Sequence, residues 1–242
     1  MKIPRLTNGA RTQGFTLIEL LVVISIIAIL AGFALPVFTS AQKKGRIADT
    51  LNNAHQISTA LKMYAGDHDG TYPYYTNPDD TSTAVSTSNA AFELLMPRYS
   101  NSKAIFANKN SAWCKATTGT SSTGTTNEYK VLQGQCDWNY VAGLSETDDS
   151  RFPLIATAFS PGTQTYVKST SKQGGVWGAT DAVVVFVDHS AKVISELGNP
   201  GADGAFIKRT DVPTANMFTP DSGTGWLDGP NVKNLGPMSS GS

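Results

Sequence analysis

Three sets of residues in this chain have a type and spacing that could do chemistry. Glu19 stands inside the apolar stretch FTLIELLVVISIIAILAGFAL, Phe15 to Leu35, which only Thr16, Glu19 and Ser25 interrupt. An acid at the centre of a spanning helix costs about 2.5–3.5 kcal/mol on insertion scales, and less near its end, so such a group calls for a partner or a pathway. The second set is Cys114 and Cys136. Both lie C-terminal to the apolar stretch, so export of that side would favour their oxidation to each other, and closing the loop would remove about 3 kcal/mol of unfolded-chain entropy. Two buried free thiols is the other reading of the same pair. The third set is the histidines His55, His68 and His189, none in a G-x-S-x-G or H-E-x-x-H context. They read as surface or cap residues, and no enzyme is expected. Asp67, His68 and Asp69 are adjacent metal donors, but without EF-hand spacing or its terminal glutamate they read as a solvated turn. No CxxC or Cys/His cluster is present, so no metal site is predicted.

The elements that must position these residues follow from periodicity and charge. The chain of 242 residues has room for one ordinary domain plus a membrane or assembly segment. Its 19 basic and 19 acidic residues balance, yet Lys2, Arg5 and Arg11 fall in the first fourteen residues without an acidic partner, which leaves an acidic excess of three in the remainder. Such a body carries no basic footprint, and no nucleic-acid partner is expected. As a helix, Phe15 to Leu35 would span about 32 Å, close to the hydrocarbon thickness of a bilayer. The basic start keeps Met1 to Gly14 cytoplasmic and sends the remainder outward. An ordinary secretory signal would have a shorter apolar region ending at a small-residue cleavage site, and no carboxylate. Beyond Pro36, which should bend or loosen the helix, Ile47, Leu51, Ala54, Ile57 or Ser58, Leu61 and Tyr64 or Ala65 recur as one helical stripe, opposite Lys43, Lys44, Arg46, Asp49, Asn52, Asn53 and Lys62. Gly66 is available to cap that helix, and Pro73 bars its resumption.

Gly14-Phe15-Thr16-Leu17-Ile18-Glu19, followed by LLVVISIIAILAGFALP, closely resembles the prepilin cleavage and methylation motif of type IV pilins and type II secretion pseudopilins. The resemblance covers about the first fifty residues. It implies that a prepilin peptidase cuts between Gly14 and Phe15 and methylates the new amine on Phe15. It further implies that Glu19 of one copy compensates that amine on a neighbour, fixing axial register in a low-dielectric filament core. Pro36 lies where the helices of similar filament pilins loosen on assembly. The expected partners are prepilin peptidase, other copies and related pilins in a helical filament, an inner-membrane assembly platform and the membrane itself. The expected location is a single pass of the inner membrane, then a periplasmic or extracellular filament.

The expected fold is α+β and pilin-like, a long N-terminal helix packed on a small antiparallel β-sheet head. Its segments are a leader at 1–14, a membrane or filament-core helix at 15–36, an amphipathic spine at 37–66, a β-rich head at 67–198 and an irregular segment at 199–242. Within the head, 77–89 reads as an exposed loop and Ala90 to Met96 as a short amphipathic piece. Ala104 to Ala107, Cys136 to Gly143 and Leu154 to Phe159 read as strands, and Asp181 to His189 with Lys192 to Leu197 as a hairpin. His189 stands where glycine is usual in the turn of similar heads. No cofactor is expected beyond a possible calcium ion, which similar major pseudopilins hold in C-terminal loops, with Asp203, Asp211, Asp221 and Asp228 as conceivable ligands. Trp113, Trp138, Trp177 and Trp226 could line a glycan groove, which gives a filament-displayed adhesin as the alternative function; buried packing explains them more simply.

Overall fold

The computed structural model describes residues 14–77, 80–109, 111–114 and 129–238. The leader at 1–13, with Lys2, Arg5 and Arg11, lies outside them. The chain divides into two units at Gly45 and Arg46. Helix α1, Leu17–Asp67, runs through the boundary without interruption and keeps Pro36 inside it. The Thr39 hydroxyl donates to the Pro36 carbonyl at 3.0 Å within the helix.

In the second unit, α1 buries Thr50, Ala54, Ile57, Ser58, Ala60, Leu61, Tyr64 and Ala65, with Ile47 and Leu51 partly buried against the same core. Apart from Thr50 and Ala60, these are the positions of the predicted stripe, one face of a 3.6-residue period. The helix ends one residue beyond Gly66. Asp69 and Gly70 take positive φ, 50° and 75°, and the Ala65 carbonyl accepts from the N–H groups of His68 at 3.0 Å and Gly70 at 2.9 Å. Gly66 is therefore not the cap. The last turn is held helical because His68 stacks on Tyr64 at 4.0 Å and the Asp67 carboxylate accepts from the Tyr99 hydroxyl at 2.9 Å.

The head is a five-stranded antiparallel sheet in the order β6-β5-β4-β3-β7. Its strands are β3 Trp138–Ala142, β4 Pro153–Thr157, β5 Ala182–Phe186, β6 Ala191–Ile194 and β7 Lys233–Leu235. Every residue of the three central strands is buried, so both faces of the sheet are covered. Residues of α1 share one core cluster with the central strands, and Phe218 and Trp226 of the C-terminal segment pack on Phe159 and Phe152 at 4.9 and 5.2 Å. The segment from 199 onward is mostly irregular, as expected, but its core residues and its own edge strand β7 tie it into the head. Three residues of unremarkable polarity gave β7 no sequence signature.

Two further segments differ from expectation. Residues 77–89 are not an open loop: β1 Tyr75–Asn77 pairs with β2 Asp80–Ala84, and Ser88 and Asn89 are buried at the start of α2, Ser88–Glu93, whose Thr87 N-cap hydroxyl accepts from the Ala90 N–H. The run Ala104 to Ala107 is not a strand but part of a 3-10 turn, Lys103–Phe106. There Phe106 stacks on Phe92 at 5.0 Å and the Ile105 carbonyl accepts from the Trp138 indole at 3.1 Å.

The predicted β5–β6 hairpin forms, with Ala182 opposite Ile194 and Val185 opposite Ala191. His189 adopts φ 62° in its turn, the left-handed conformation that glycine favours. It is not merely a turn residue. Its ring shares a hydrogen bond with the Ser58 hydroxyl of α1 at 2.9 Å and another with the Tyr72 hydroxyl at 3.2 Å. Burial and the nearby Lys62 hold its pKa below the usual imidazole value, against the Glu146 carboxylate 3.8 Å away, and the two hydrogen bonds tie helix to hairpin.

One buried acid stands out. Asp137, beside β3, is 1% exposed, and neither carboxylate oxygen has a hydrogen-bond partner. Burial pushes its pKa well up; the Trp113 indole works in the opposite direction, yet its N–H is itself buried without a partner. A raised pKa means that this group adds stability below the ordinary value of 3.8 and withdraws it as pH rises. Asp137→Asn should therefore stabilise the head at pH 7, and the gain should disappear below about pH 4. Between those limits the wild type loses about 1.4 kcal/mol per pH unit relative to the variant, up to the raised pKa. Urea midpoints measured at both pH values check this, and a variant less stable at pH 7 contradicts it.

Candidate functional site

The assembly residues named from sequence lie at the start of α1. Leu17 is the first helical residue, and Thr16 before it forms a reciprocal cap with Glu19. The Glu19 Oε2 accepts from the Thr16 N–H at 2.9 Å and the Thr16 hydroxyl at 2.7 Å, while the Glu19 N–H donates to the Thr16 Oγ1 at 3.3 Å. A hydroxyl residue followed three positions later by Glu is a capping box, which satisfies N–H groups that the first turn leaves orphaned. Glu19 thus holds the helix start, directly after Phe15, within a single copy. Sequence reasoning missed this role of Thr16, although the T-x-x-E spacing carries the signal.

From Phe15 to Phe38 the large apolar side chains are exposed all round the helix, Phe15 at 77% and Phe38 at 60%. In the second unit, by contrast, α1 is apolar on one stripe only. A helix apolar on every side belongs in lipid or among other helices. The segment is long and apolar enough to cross a membrane. Gly14 precedes it in open space, with no atom within 4 Å of where a Cβ would stand. The structure brings Gly14, Phe15 and Glu19 to one end of the helix and leaves Pro36 separate, in the same exposed segment.

The other predicted sites sit in the head. Cys114 and Cys136 are free thiols, both buried, and the expected disulfide is not formed. The Cys136 Sγ is held instead between the Ser88 hydroxyl and the Trp138 carbonyl, each at 3.6 Å. Burial pushes the Cys136 thiol up to about 12 and the Cys114 thiol higher still, and thiols so far from ionisation are poor nucleophiles. Iodoacetamide at pH 8 should leave both unmodified in the native chain and label both after denaturation without reductant. Rapid labelling of the native chain, or none after denaturation, would contradict this state.

Of the aspartates considered for calcium, Asp211 and Asp221 face the Arg209 guanidinium at 2.6 and 3.1 Å, and Asp203 accepts from the Lys168 N–H at 2.8 Å. Hydrogen bonding to Arg209 holds the Asp211 pKa down at about 2, so Asp211 and Asp221 already face a cation. Arg209 itself lies over the Trp226 ring at 4.4 Å. Among the described residues no group of three or more His, Cys, Asp or Glu side chains could hold a metal ion. Trp177 and Trp226 are 7% and 3% exposed.

Comparison with known proteins agrees with the geometry at the N-terminus. The family described as the prokaryotic N-terminal methylation motif matches residues 9–35. The chain is 40% identical over 60 residues to the prepilin peptidase-dependent protein D of Escherichia coli K12, covering 25% of this chain and 41% of that protein. It is 39% identical over 59 residues to the type IV major pilin protein PilA of Myxococcus xanthus, covering 24% of this chain and 27% of that one. It is also 35% identical over 78 residues to the type IV major pilin protein PilE of Neisseria gonorrhoeae, covering 32% and 44%. The matches thus span less than half the length of these relatives, and no solved structure matches the chain. A capped apolar helix, the methylation motif and this set of relatives together make the N-terminal segment similar to that of type IV pilins and a prepilin peptidase-dependent protein, carried on a pilin-like α+β fold.

Proposed function

We propose that this chain is a structural subunit, a pilin or pseudopilin, that polymerises through α1 after a prepilin peptidase cuts between Gly14 and Phe15 and methylates the new amine. The observation that carries the reading is the exposure of every large apolar side chain from Phe15 to Phe38. Such a surface is stable in lipid, and equally among copies of itself, because helix association in a membrane exchanges lipid contacts for protein contacts. The leader holds the precursor across the inner membrane with its head outside. An assembly platform in that membrane then moves each copy from bilayer to filament. In the filament the Phe15 amine of one copy faces Glu19 of the next, and two charges that are costly in a low-dielectric core compensate each other.

Sheared filaments test the whole reading. Antibody against the head should find the chain in the sedimented fraction, and intact mass should show a chain beginning at methylated Phe15. A chain that keeps its leader and stays in the membrane fraction, in cells that assemble filaments, overturns it.

A further inference from the structure

His189 holds its turn at φ 62°, a conformation that glycine adopts freely and that carries a steric cost for any residue with a side chain. Its ring stands between elements of opposite charge. On the α1 side the Ser58 hydroxyl lies 2.9 Å from Nδ1, and the Lys62 ammonium disfavours a charged ring. On the other side Glu146, in the connection from β3 to β4, places Oε1 3.8 Å from Nε2, beyond hydrogen-bonding reach. Asp188, next to it in the turn, also favours the charged ring, and the uncharged Tyr72 hydroxyl lies 3.2 Å from Nε2.

One arrangement of protons in this cluster uses every donor. Ser58 is 2% exposed and its hydroxyl makes no other hydrogen bond among the described residues, so it donates to Nδ1. Nε2 then carries the ring proton and donates to the Tyr72 oxygen, whose own O–H donates to the Val187 carbonyl at 3.5 Å. The opposite tautomer strands the Ser58 proton and sets the bare Nε2 lone pair against the Glu146 carboxylate. A second proton on the ring must therefore go to Nδ1, the atom that accepts from Ser58. The cation so formed is repelled by Lys62 on the helix and drawn to Glu146 on the loop. The His189 side chain is 18% exposed, so solvent protons reach it.

We propose that His189 is an acid-released clasp: the neutral ring fastens the β5–β6 hairpin to α1 through Ser58, and the protonated ring leaves Ser58 for Glu146. Burial and Lys62 lower its pKa from the ordinary 6.5, against Glu146 and Asp188. The clasp thus adds stability above pH 6.5 and loses it as pH falls through the lowered value. The hairpin carries β6, an edge strand of the sheet, so its release is a local opening rather than an unfolding of the head. All of these groups lie in the second unit, and the clasp does not depend on how the chain assembles.

Hydrogen exchange of the full chain in detergent micelles, compared with His189→Gly, tests this. Glycine keeps the turn and lacks the ring. Protection of the β6 amides should be about tenfold higher in the wild type at pH 7.5, the loss of one hydrogen bond in the variant. That ratio should shrink toward one at the pH where NMR shows the His189 ring protonated. Taking a ratio at each pH cancels the intrinsic pH dependence of exchange and the opposite trend that Asp137 contributes to both chains. The neutral ring should show the Nε2–H tautomer by ¹⁵N shifts, with a titration midpoint below 6.5 that Lys62→Gln raises and Glu146→Gln lowers. A ratio near one at pH 7.5, a ratio unchanged on protonation of the ring, or an Nδ1–H tautomer overturns the proposal.

Discussion

Glu19→Ala should insert and be processed like the wild type, and its incorporation into sheared filaments should fall by on the order of a hundredfold, since an unpaired charge left in a buried site is strongly unfavourable. Two causes could produce that loss, because Glu19 also caps α1 through Thr16. Glu19→Gln separates them. Glutamine serves at the third position of a capping box but carries no charge. If Glu19 acts in assembly as the counter-charge of Phe15, the Gln variant fails as the Ala variant does, with its helix start intact. Wild-type incorporation of Glu19→Gln would leave capping as the only role. Immunoblots of sheared fractions, set beside whole-cell levels of the mature chain, read both variants.

The second large effect is at Gly14. Gly14→Leu should raise the ratio of precursor to mature chain by tenfold or more, because a peptidase pocket shaped for glycine rejects added bulk by steric clash. Gly14 itself has open space around it and lies before the first helical residue. The substitution therefore leaves the fold untouched, and a processing defect reports recognition by the peptidase. Intact-mass measurement of the membrane fraction gives the ratio; normal Phe15 termini in Gly14→Leu would place the cut elsewhere.

The two predictions draw on different levels of description. The motif, the apolar run and the stripe from Ile47 to Ala65 are local patterns, and each was legible because helical periodicity and lipid solubility depend only on neighbours along the chain. The cap through Thr16 was equally local and was overlooked for the more conspicuous charge. Most of the sheet was also readable: β3, β4, β5 and β6 fall in β-branched or aromatic runs. The misses share a cause. In β7, Lys233–Leu235, and in the 3-10 turn at Lys103–Phe106, conformation is chosen by a distant partner, β3 in one case and Phe92 with Trp138 in the other.

Side-chain states in the head belonged to tertiary structure throughout. Spacing alone could not decide whether Cys114 and Cys136 were bridged; the structure has them as separate buried thiols. Four aspartates looked alike on paper, and folding gave two of them to Arg209. Asp137 is an unmarked residue in the sequence and an orphaned acid in the fold. The sequence by itself determined that this protein has a lipid-soluble helix start bearing one acid, because those properties reside in consecutive residues. Only the tertiary structure decided which head residues are covered or paired, because burial and hydrogen bonding are set by segments far apart along the chain.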